Sequence, residues 1–250
     1  MAVMARQRHL NNAPIIEAII DFRTRLPATF DATRFSSLKA ELSDGYPQME
    51  ESRAFEAGVK IKGKQVQQIL EDKGLRGYRF ESQDGKNVAQ FRQDGFTFSR
   101  LKPYTNWQGV LGEAKRLWKL YVDRAFPDLI VRITVRYINQ LNVPLPIDDF
   151  AQYLTAPPVI PKNLPQDVSD FLTRVTICDR RLDIKAHIIQ ALEKSSKPDN
   201  VTIILDIDVF KQKESGFDEL EMWQAFEQFR DLKNRIFFGS ITEETARLFE

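Results

Sequence analysis

The sequence predicts an α+β fold, in which two long amphipathic helices pack on an antiparallel β-sheet. Asp84-Gly85 and Asp94-Gly95 lie between strand-like runs and predict hairpins, because Asp-Gly pairs suit type I′ turns. Strands and helices alternate irregularly along the chain, which argues against a doubly wound parallel sheet. Residues 105–126 and 217–237 repeat apolar side chains at helical spacing and supply the two helices.

Several runs alternate apolar and polar side chains with a period of two, as half-buried strands do. In "PIIEAIIDFR" one face carries the apolar side chains Ile16, Ala18, Ile20 and Phe22. Residues 129–143 form a longer strand with the same alternation, and Asn139 is the polar exception on its apolar face. Residues 53–101 read as several short antiparallel strands. "DFLTRVTICD" and "LDIKAHIIQAL" read as two strands joined at Arg180-Arg181, and "NVTIILDIDVF" as another.

The helices carry recognisable start signals. Asp31 is the predicted N-cap of a first helix, and Thr105 with Gln108 resembles a capping box for the helix that ends near Phe126. The helix at 217–237 places four side chains near one stripe: Leu220, Trp223, Phe226 and Phe229. Ser240 with Glu243 resembles a second capping box, ahead of a short terminal helix.

A proline-rich segment at 155–167 divides the chain into an N-terminal α+β lobe, 1–154, and a C-terminal β/α lobe, 168–250. We expect the second lobe to dock onto the first as one compact unit.

Composition excludes several classes of protein. The chain has 36 basic and 35 acidic residues, so a net charge of +1 creates no global field for nucleic acid or anionic membrane. A single cysteine, Cys178, excludes an internal disulfide framework, and we expect it to be buried. His9 and His187 do not have metal-ligand spacing, and we expect no metal or cofactor. No apolar run suggests a leader or a membrane span, so the expected location is the cytoplasm.

Four segments form an ordered set: "NAPIIEAIIDFR", "DGFTFSRLKPYTNW", "VRYINQL" and "FFGSITEETARLFE". Together they resemble a sporadically distributed prokaryotic protein family of about this length that carries no established activity. The resemblance spans nearly the whole chain. It implies an accessory role, such as one in phage-defence or toxin–antitoxin neighbourhoods, and it supplies no catalytic residues.

The candidate binding residues lie mainly on the polar faces of predicted strands. Glu17 and Asp21 share one such face, and Arg132 and Arg136 share another. If these strands and the one carrying Asp206 and Asp208 are neighbours, cross-strand ion pairs form. Such a face is either a solvated surface or a polar groove or subunit interface, where guanidinium groups engage carboxylates or phosphates. We also expect Tyr104, at the Pro-Tyr corner after the second hairpin, to reach the surface.

Three functions remain open. The leading hypothesis is a non-enzymatic protein-interaction component that binds another protein or itself as a homodimer. One alternative is a metal-dependent nucleic-acid-cleaving enzyme that uses Asp170, Asp183 and Lys185, and a Cys178–His187 pair is a weaker catalytic option. The other is an RNA or single-stranded nucleic-acid binding module. It would use the basic residues Arg76, Arg79, Arg92, Arg100 and Lys102 and the aromatics Tyr78, Phe80, Phe91, Phe96, Phe98 and Tyr104.

Overall fold

The computed structural model describes residues 3–62, 65–194 and 198–250, and of 56–62 and 65–71 the backbone only. In these residues one antiparallel sheet has nine strands in the order β2-β3-β4-β5-β1-β6-β9-β8-β7. The strands are β1 (Ile15–Arg25), β2 (Gln48–Lys62), β3 (Gln65–Glu81), β4 (Asn87–Arg92), β5 (Gly95–Leu101), β6 (Leu129–Pro144), β7 (Leu172–Asp179), β8 (Ile184–Glu193) and β9 (Asn200–Gln212).

Four α-helices accompany the sheet in the described residues: α1 (Leu38–Leu42), α2 (Trp107–Ala125), α3 (Glu219–Ser240) and α4 (Glu243–Arg247). None of the described helices is long and apolar enough to cross a membrane.

The aromatic contacts between helices and sheet lie on one face, which we call the inner face. The ring centroid of Phe22 on β1 lies 4.1 Å from that of Trp118 on α2 and 5.3 Å from that of Phe226 on α3. Tyr121 of α2 packs near Phe91 and Phe96 in the same layer. Large aromatic side chains bury much apolar area each, so this layer is the main hydrophobic core.

β6 connects the two halves of the chain. It pairs with β1 on one side, with Val135 opposite Ile20, and with β9 on the other, with Val135 opposite Val209. The boundary predicted at 155–167 therefore falls between strands of one continuous sheet, since β1 to β6 precede it and β7 to β9 follow it.

Both predicted hairpins form, but neither Asp-Gly pair adopts the predicted turn. Type I′ needs a positive φ at both central residues, and among these four residues only Gly85 (φ 67°) and Gly95 (φ 148°) have one. Gly95 is the first residue of β5, and a Cβ there would lie 1.9 Å from the carbonyl oxygen of Phe22. It serves the close approach of β1 to β5 rather than the turn.

Two other connections in the sheet differ from the sequence prediction. β2 and β3 are 15 and 17 residues long, not a series of short strands, because register shifts near Ser52 and Ala54 let the pairing continue past the glycines of β3. The turn between β7 and β8 is longer than Arg180-Arg181. It ends at Asp183, whose φ is 53°.

Both capping-box predictions are wrong, while the Asp31 cap is confirmed. Asp31 accepts a hydrogen bond from the Thr33 backbone N–H at the start of a 3₁₀ turn. At α2 the cap is Asn106, whose side chain accepts from Gly109 N at 2.8 Å. At α4 it is Thr242, because α3 continues through residue 240. In both cases a second residue with a capping side chain lies within two positions of the predicted one and makes the cap instead.

Three residues predicted in apolar layers are exposed. Leu220 is 69% exposed at the start of α3, and Phe126 caps the end of α2 in a left-handed conformation. Cys178 is exposed on the edge strand β7. Each lies at the end of a helix or at the edge of the sheet, where the covering layer stops.

The burial difference within α3 gives a stability prediction. Phe226 is fully buried, so Phe226→Ala should lower the free energy of unfolding by about 3–5 kcal/mol, through lost transfer energy and the cavity created. Leu220→Ala on the same helix should change it by no more than about 0.5 kcal/mol. Urea unfolding of both variants measures this, and equal losses would contradict the packing described.

Candidate functional site

The face of the sheet opposite the helices, which we call the outer face, collects the charged residues predicted from sequence. In the register, Arg136 of β6 lies opposite both Ile19 of β1 and Asp208 of β9. Asp206 lies opposite Ile138 of β6 and Ile189 of β8. The alternation of strand side chains therefore puts charges and half-buried isoleucines on one surface.

Arg136 and Asp206 form a bidentate ion pair. Arg136 donates from Nε and Nη2 to the two carboxylate oxygens of Asp206, at 2.8 and 2.5 Å. The Asp206 side chain is 9% exposed, whereas that of Arg136 is 42% exposed. Hydrogen bonding to Asp206 raises the pKa of Arg136 above its usual value, and the charges of Asp208 and Glu17 contribute. The guanidinium thus has a fixed orientation and one solvent-accessible side.

Arg132 and Asp208 form a second ion pair, in which fewer of the polar side-chain atoms have hydrogen-bond partners. Arg132 Nη2 donates to Asp208 Oδ2 at 3.1 Å, and its guanidinium lies 4.4 Å from the ring centroid of Phe210. Among the described residues, Arg132 Nε and Asp208 Oδ1 are buried without a hydrogen-bond partner. Burial raises the pKa of Asp208, although the charges of Arg132 and Arg136 oppose this.

The two acids of β1 have different surroundings. Asp21 is buried and accepts hydrogen bonds from Thr97 Oγ1 at 2.6 Å and from Arg92 Nη2 at 3.3 Å. Glu17 is half-buried beside Ile138, at a bulge in the pairing of β1 with β6. It acts on Arg136 through its charge. The expected cross-strand pairs therefore form between β6 and β9, as Arg132–Asp208 and Arg136–Asp206. Asp21 instead pairs with Arg92 of β4.

Asp170, Asp183 and Lys185, the residues of the nuclease hypothesis, do not come together in one site. Asp183 ends the turn before β8, whereas Asp170 precedes β7, so the eight residues of β7 separate them. At about 3.3 Å per residue that is roughly 26 Å. Among the described residues, no group of three or more His, Cys, Asp or Glu side chains is placed to hold a metal ion.

The Cys178–His187 pair is also not formed. His187 lies opposite Thr176 in the register, and its Nδ1 lies 2.9 Å from Thr176 Oγ1. Its ring packs 4.8 Å from that of Phe210. Cys178 lies opposite Lys185.

Two of the arginines of β3 to β5 lie on the face of the sheet opposite the aromatics. Arg79 and Arg92 are on the outer face, where Arg79 pairs with Glu81 at 2.6 Å and Arg92 with Asp94 at 3.0 Å. Arg100, near the end of β5, lies on the same face as Phe96 and Phe98 and donates to Asn87 Oδ1 at 3.1 Å. The aromatics belong to the hydrophobic core: Tyr78, Phe80, Phe91, Phe96 and Phe98. No surface of stacked bases can form from rings that face the core.

Tyr104 is half-buried and lines a cavity of about 650 Å³ on the inner side, which we call the Lys233 cavity. The N-terminal segment, the start of α2, β6 and the end of α3 enclose it. Tyr137 Oη donates to Tyr104 Oη at 3.2 Å, and the two rings pack edge to face. Tyr104 therefore reaches a cavity wall.

Lys233 of α3 is the unusual residue of this cavity. It is only 9% exposed, its ammonium lies 4.0 Å from the ring centroid of Tyr137, and its Nζ donates to Asn234 Oδ1 at 2.6 Å. Within the described part of the chain it makes no ion pair with a carboxylate. Burial, together with the charge of Arg230, lowers the pKa of Lys233 to about 7.

Sequence reasoning missed Lys233, although a signal was available. Lys233 stands four residues after Phe229 and four before Phe237, in the apolar stripe of α3. Asn139, the polar residue on the apolar face of β6, lines the same cavity. Each of these polar residues interrupts an apolar pattern, and both line the Lys233 cavity.

All four segments that carry the family resemblance reach the Lys233 cavity. The first contributes Ala13, Pro14 and Ile15, the second Tyr104 to Trp107, the third Tyr137 and Asn139, and the fourth Phe237 and Phe238. The lining of the cavity is thus built from segments far apart in sequence.

Comparison with known proteins identifies no family for the chain. No protein-family model matches it, and no curated protein matches it either. The family resemblance therefore remains a prediction.

The Arg136–Asp206 pair gives a second stability prediction. Arg136→Ala leaves the buried Asp206 carboxylate without its guanidinium, which should cost about 1–3 kcal/mol of unfolding free energy. Lys119→Ala removes the exposed Lys119–Asp123 pair of α2 and should leave the free energy of unfolding nearly unchanged. Denaturant unfolding distinguishes them, and a loss no larger for Arg136→Ala would contradict the burial of this pair.

The lowered pKa of Lys233 predicts how the free energy of unfolding depends on pH. Its pKa is about 7 in the fold, against an ordinary value of 10.5. Between pH 7 and pH 10.5, Lys233 is therefore protonated in the unfolded chain but mostly neutral in the folded one. Because the unfolded state binds more protons, the contribution of Lys233 makes the free energy of unfolding rise with pH across that range. Lys233→Met should be the more stable protein at pH 6, and this advantage should shrink between pH 7 and 10.5. Unfolding free energies of both proteins across this range measure it, and a constant difference would contradict a lowered pKa.

Proposed function

We propose that the chain is a non-enzymatic protein-interaction component that binds another protein through the outer face of its sheet. In this proposal the two long amphipathic helices, α2 and α3, cover the inner face and leave the outer face open. The proposal extends to a cytoplasmic location and to an accessory role in a phage-defence or toxin–antitoxin system, as the family resemblance implies.

The observation that carries the proposal is the composition of the open face. Ile19 lies beside Arg136, and Ile138 and Ile189 flank Asp206. All three isoleucines are half-buried and lie between charges that are already paired. Apolar side chains between oriented polar groups are typical of protein interfaces.

The size of the face also supports a protein partner. Eight spacings of about 4.8 Å between nine strands make it roughly 38 Å wide. With strands of about 20 Å, the face covers roughly 800 Å², which is what one partner contributes to a standard interface.

A protein fits this face better than a nucleic acid does. Asp206 and Asp208 neutralise Arg136 and Arg132, so the face offers phosphates little net attraction. The rings of β4 and β5 that would stack on bases point into the core instead. A partner with its own mixture of charges can engage both signs.

The test is native mass spectrometry of the tagged chain, purified gently from its own host after nuclease treatment. The informative variant exchanges the pair, Arg136→Asp with Asp206→Arg, because it keeps the ion pair but reverses its polarity. The matched control exchanges an exposed pair of α2, Lys119→Asp with Asp123→Lys.

We expect a discrete bound protein with the natural chain and with the α2 control. The outer-face exchange should reduce the bound protein by about tenfold or more. A bound second copy that responds in this way would identify the chain itself as the partner. Equal binding by both variants, or no bound protein at all, would contradict the proposal.

A further inference from the structure

Of the acidic and basic residue types, only basic ones line the described part of the Lys233 cavity. Arg8, His9, Arg230 and Lys233 line it, and its described lining contains no Asp or Glu, although the chain has 35 acidic residues. A second concavity, of about 1050 Å³, differs. It is lined by lysines and by four carboxylates, those of Asp123, Asp128, Asp218 and Glu219. The absence of acids is thus a local property of the first cavity.

Three of its four basic side chains, those of His9, Arg230 and Lys233, lack among the described residues a close carboxylate partner such as Arg8 has. Arg8 pairs with Glu243 at 2.9 Å and Glu250 at 2.6 Å. Arg230 has only a long contact of 3.6 Å to Glu227, whose other oxygen accepts from the Trp107 indole. Lys233 has the Asn234 amide oxygen and the Tyr137 ring.

A buried ammonium without a carboxylate does not stabilise a fold. Its desolvation is costly, and an apolar side chain of the same length would fill the site without that cost. Lys233 is nine-tenths buried on a helix whose neighbouring stripe residues are phenylalanines. Its presence is explained if the charge is balanced by a molecule that enters the cavity.

Neutral hydrogen-bond donors add to the positive charge. Because Tyr137 donates its hydroxyl proton to Tyr104, the Tyr104 proton remains available to another acceptor. The first residues of α2 also line the cavity, and the backbone N–H groups of Trp107 and Gln108 have no acceptor within the described chain. The positive end of a 19-residue helix therefore faces the same space.

The walls and the volume restrict the size and shape of the ligand. Aromatic side chains contribute much of the lining, among them Tyr104, Trp107, Phe237 and Phe238. A volume of about 650 Å³ lies within the roughly 300–1,000 Å³ of small-molecule sites. Aromatic walls favour a flat ring, and the donors favour an anionic group.

We propose that the Lys233 cavity binds a small aromatic anion, a ring compound that carries a phosphate or a carboxylate. Lys233 and Arg230 hold the anionic group, and the tyrosine and phenylalanine side chains contact the ring. This inference does not depend on the proposed protein partner, because the cavity lies on the other side of the sheet.

Isothermal titration calorimetry tests it with three probes on the full chain. Adenosine monophosphate presents a phosphate, salicylate presents a carboxylate, and adenosine is the uncharged control. The proteins are the natural chain, Lys233→Met, Arg230→Gln and the control Lys115→Met. Lys115 lies 4.8 Å from the Trp223 ring at the second concavity, so its loss removes a comparable cation outside the site.

We expect at least one of the two anions to bind the natural chain and Lys115→Met equally. Lys233→Met should weaken that binding by about tenfold or more, and Arg230→Gln should weaken it in the same direction. A thermal midpoint for Lys233→Met at or above that of the natural chain would show that the variant folds. The proposal is overturned if neither anion binds, if adenosine binds as tightly as the anions, or if both lysine variants bind equally.

Discussion

The structure depends on the pairing of β6 with β1 and β9. This 16-residue strand lies next to the central strand β1 and joins the strands that precede the proline-rich segment to those that follow it. Its period of two assigns every second side chain to each face. Ile133, Val135 and Leu141 enter the core, whereas Arg132 and Arg136 form the outer charged pairs. A register shift of one residue would exchange these sets and expose the core.

The basic side chains on the two sides of β6 differ in whether a carboxylate neutralises them. On the outer face, Arg132 and Arg136 each meet an aspartate of β9, so the surface is nearly neutral and its geometry is fixed. On the inner side, Tyr137 lies under the Lys233 ammonium, which no described carboxylate balances. The two proposals follow this difference: a large partner of mixed charge on the outer face, and a small anion in the inner cavity. One strand therefore positions both candidate sites.

Much of the fold could be predicted from local patterns. β1 and β6 follow from alternation, α2 from helical spacing, and the hairpins from Asp-Gly pairs, because each signal arises within a few residues. The errors occur where tertiary packing decides. Cys178 and Leu220 lie beyond the edge of the covering layer. Gly95 has no room for a side chain because the backbone of Phe22, far away in sequence, lies against it.

The sites were predictable to different degrees. Arg132 and Arg136 were found because strand faces can be read from alternation, and only their partners required the strand order. Lys233 was missed because a lysine in a helix normally extends to solvent. It packs against Tyr137 of β6 in a cavity that the N-terminal segment also lines, and a local stretch of sequence contains neither of these segments. Polar residues that interrupt apolar stripes, such as Lys233 and Asn139, were the remaining signal.

The most direct test of this account is the pKa of Lys233 itself. A ¹³C titration of the lysine Cε resonances, with Lys233→Met used to assign the signal, reports it in the folded chain. The account predicts a midpoint near the value of about 7 that burial beside Arg230 gives. A midpoint near the ordinary value of 10.5 in a folded protein would show a solvated or acid-paired lysine, and would contradict a cavity that holds an unbalanced positive charge.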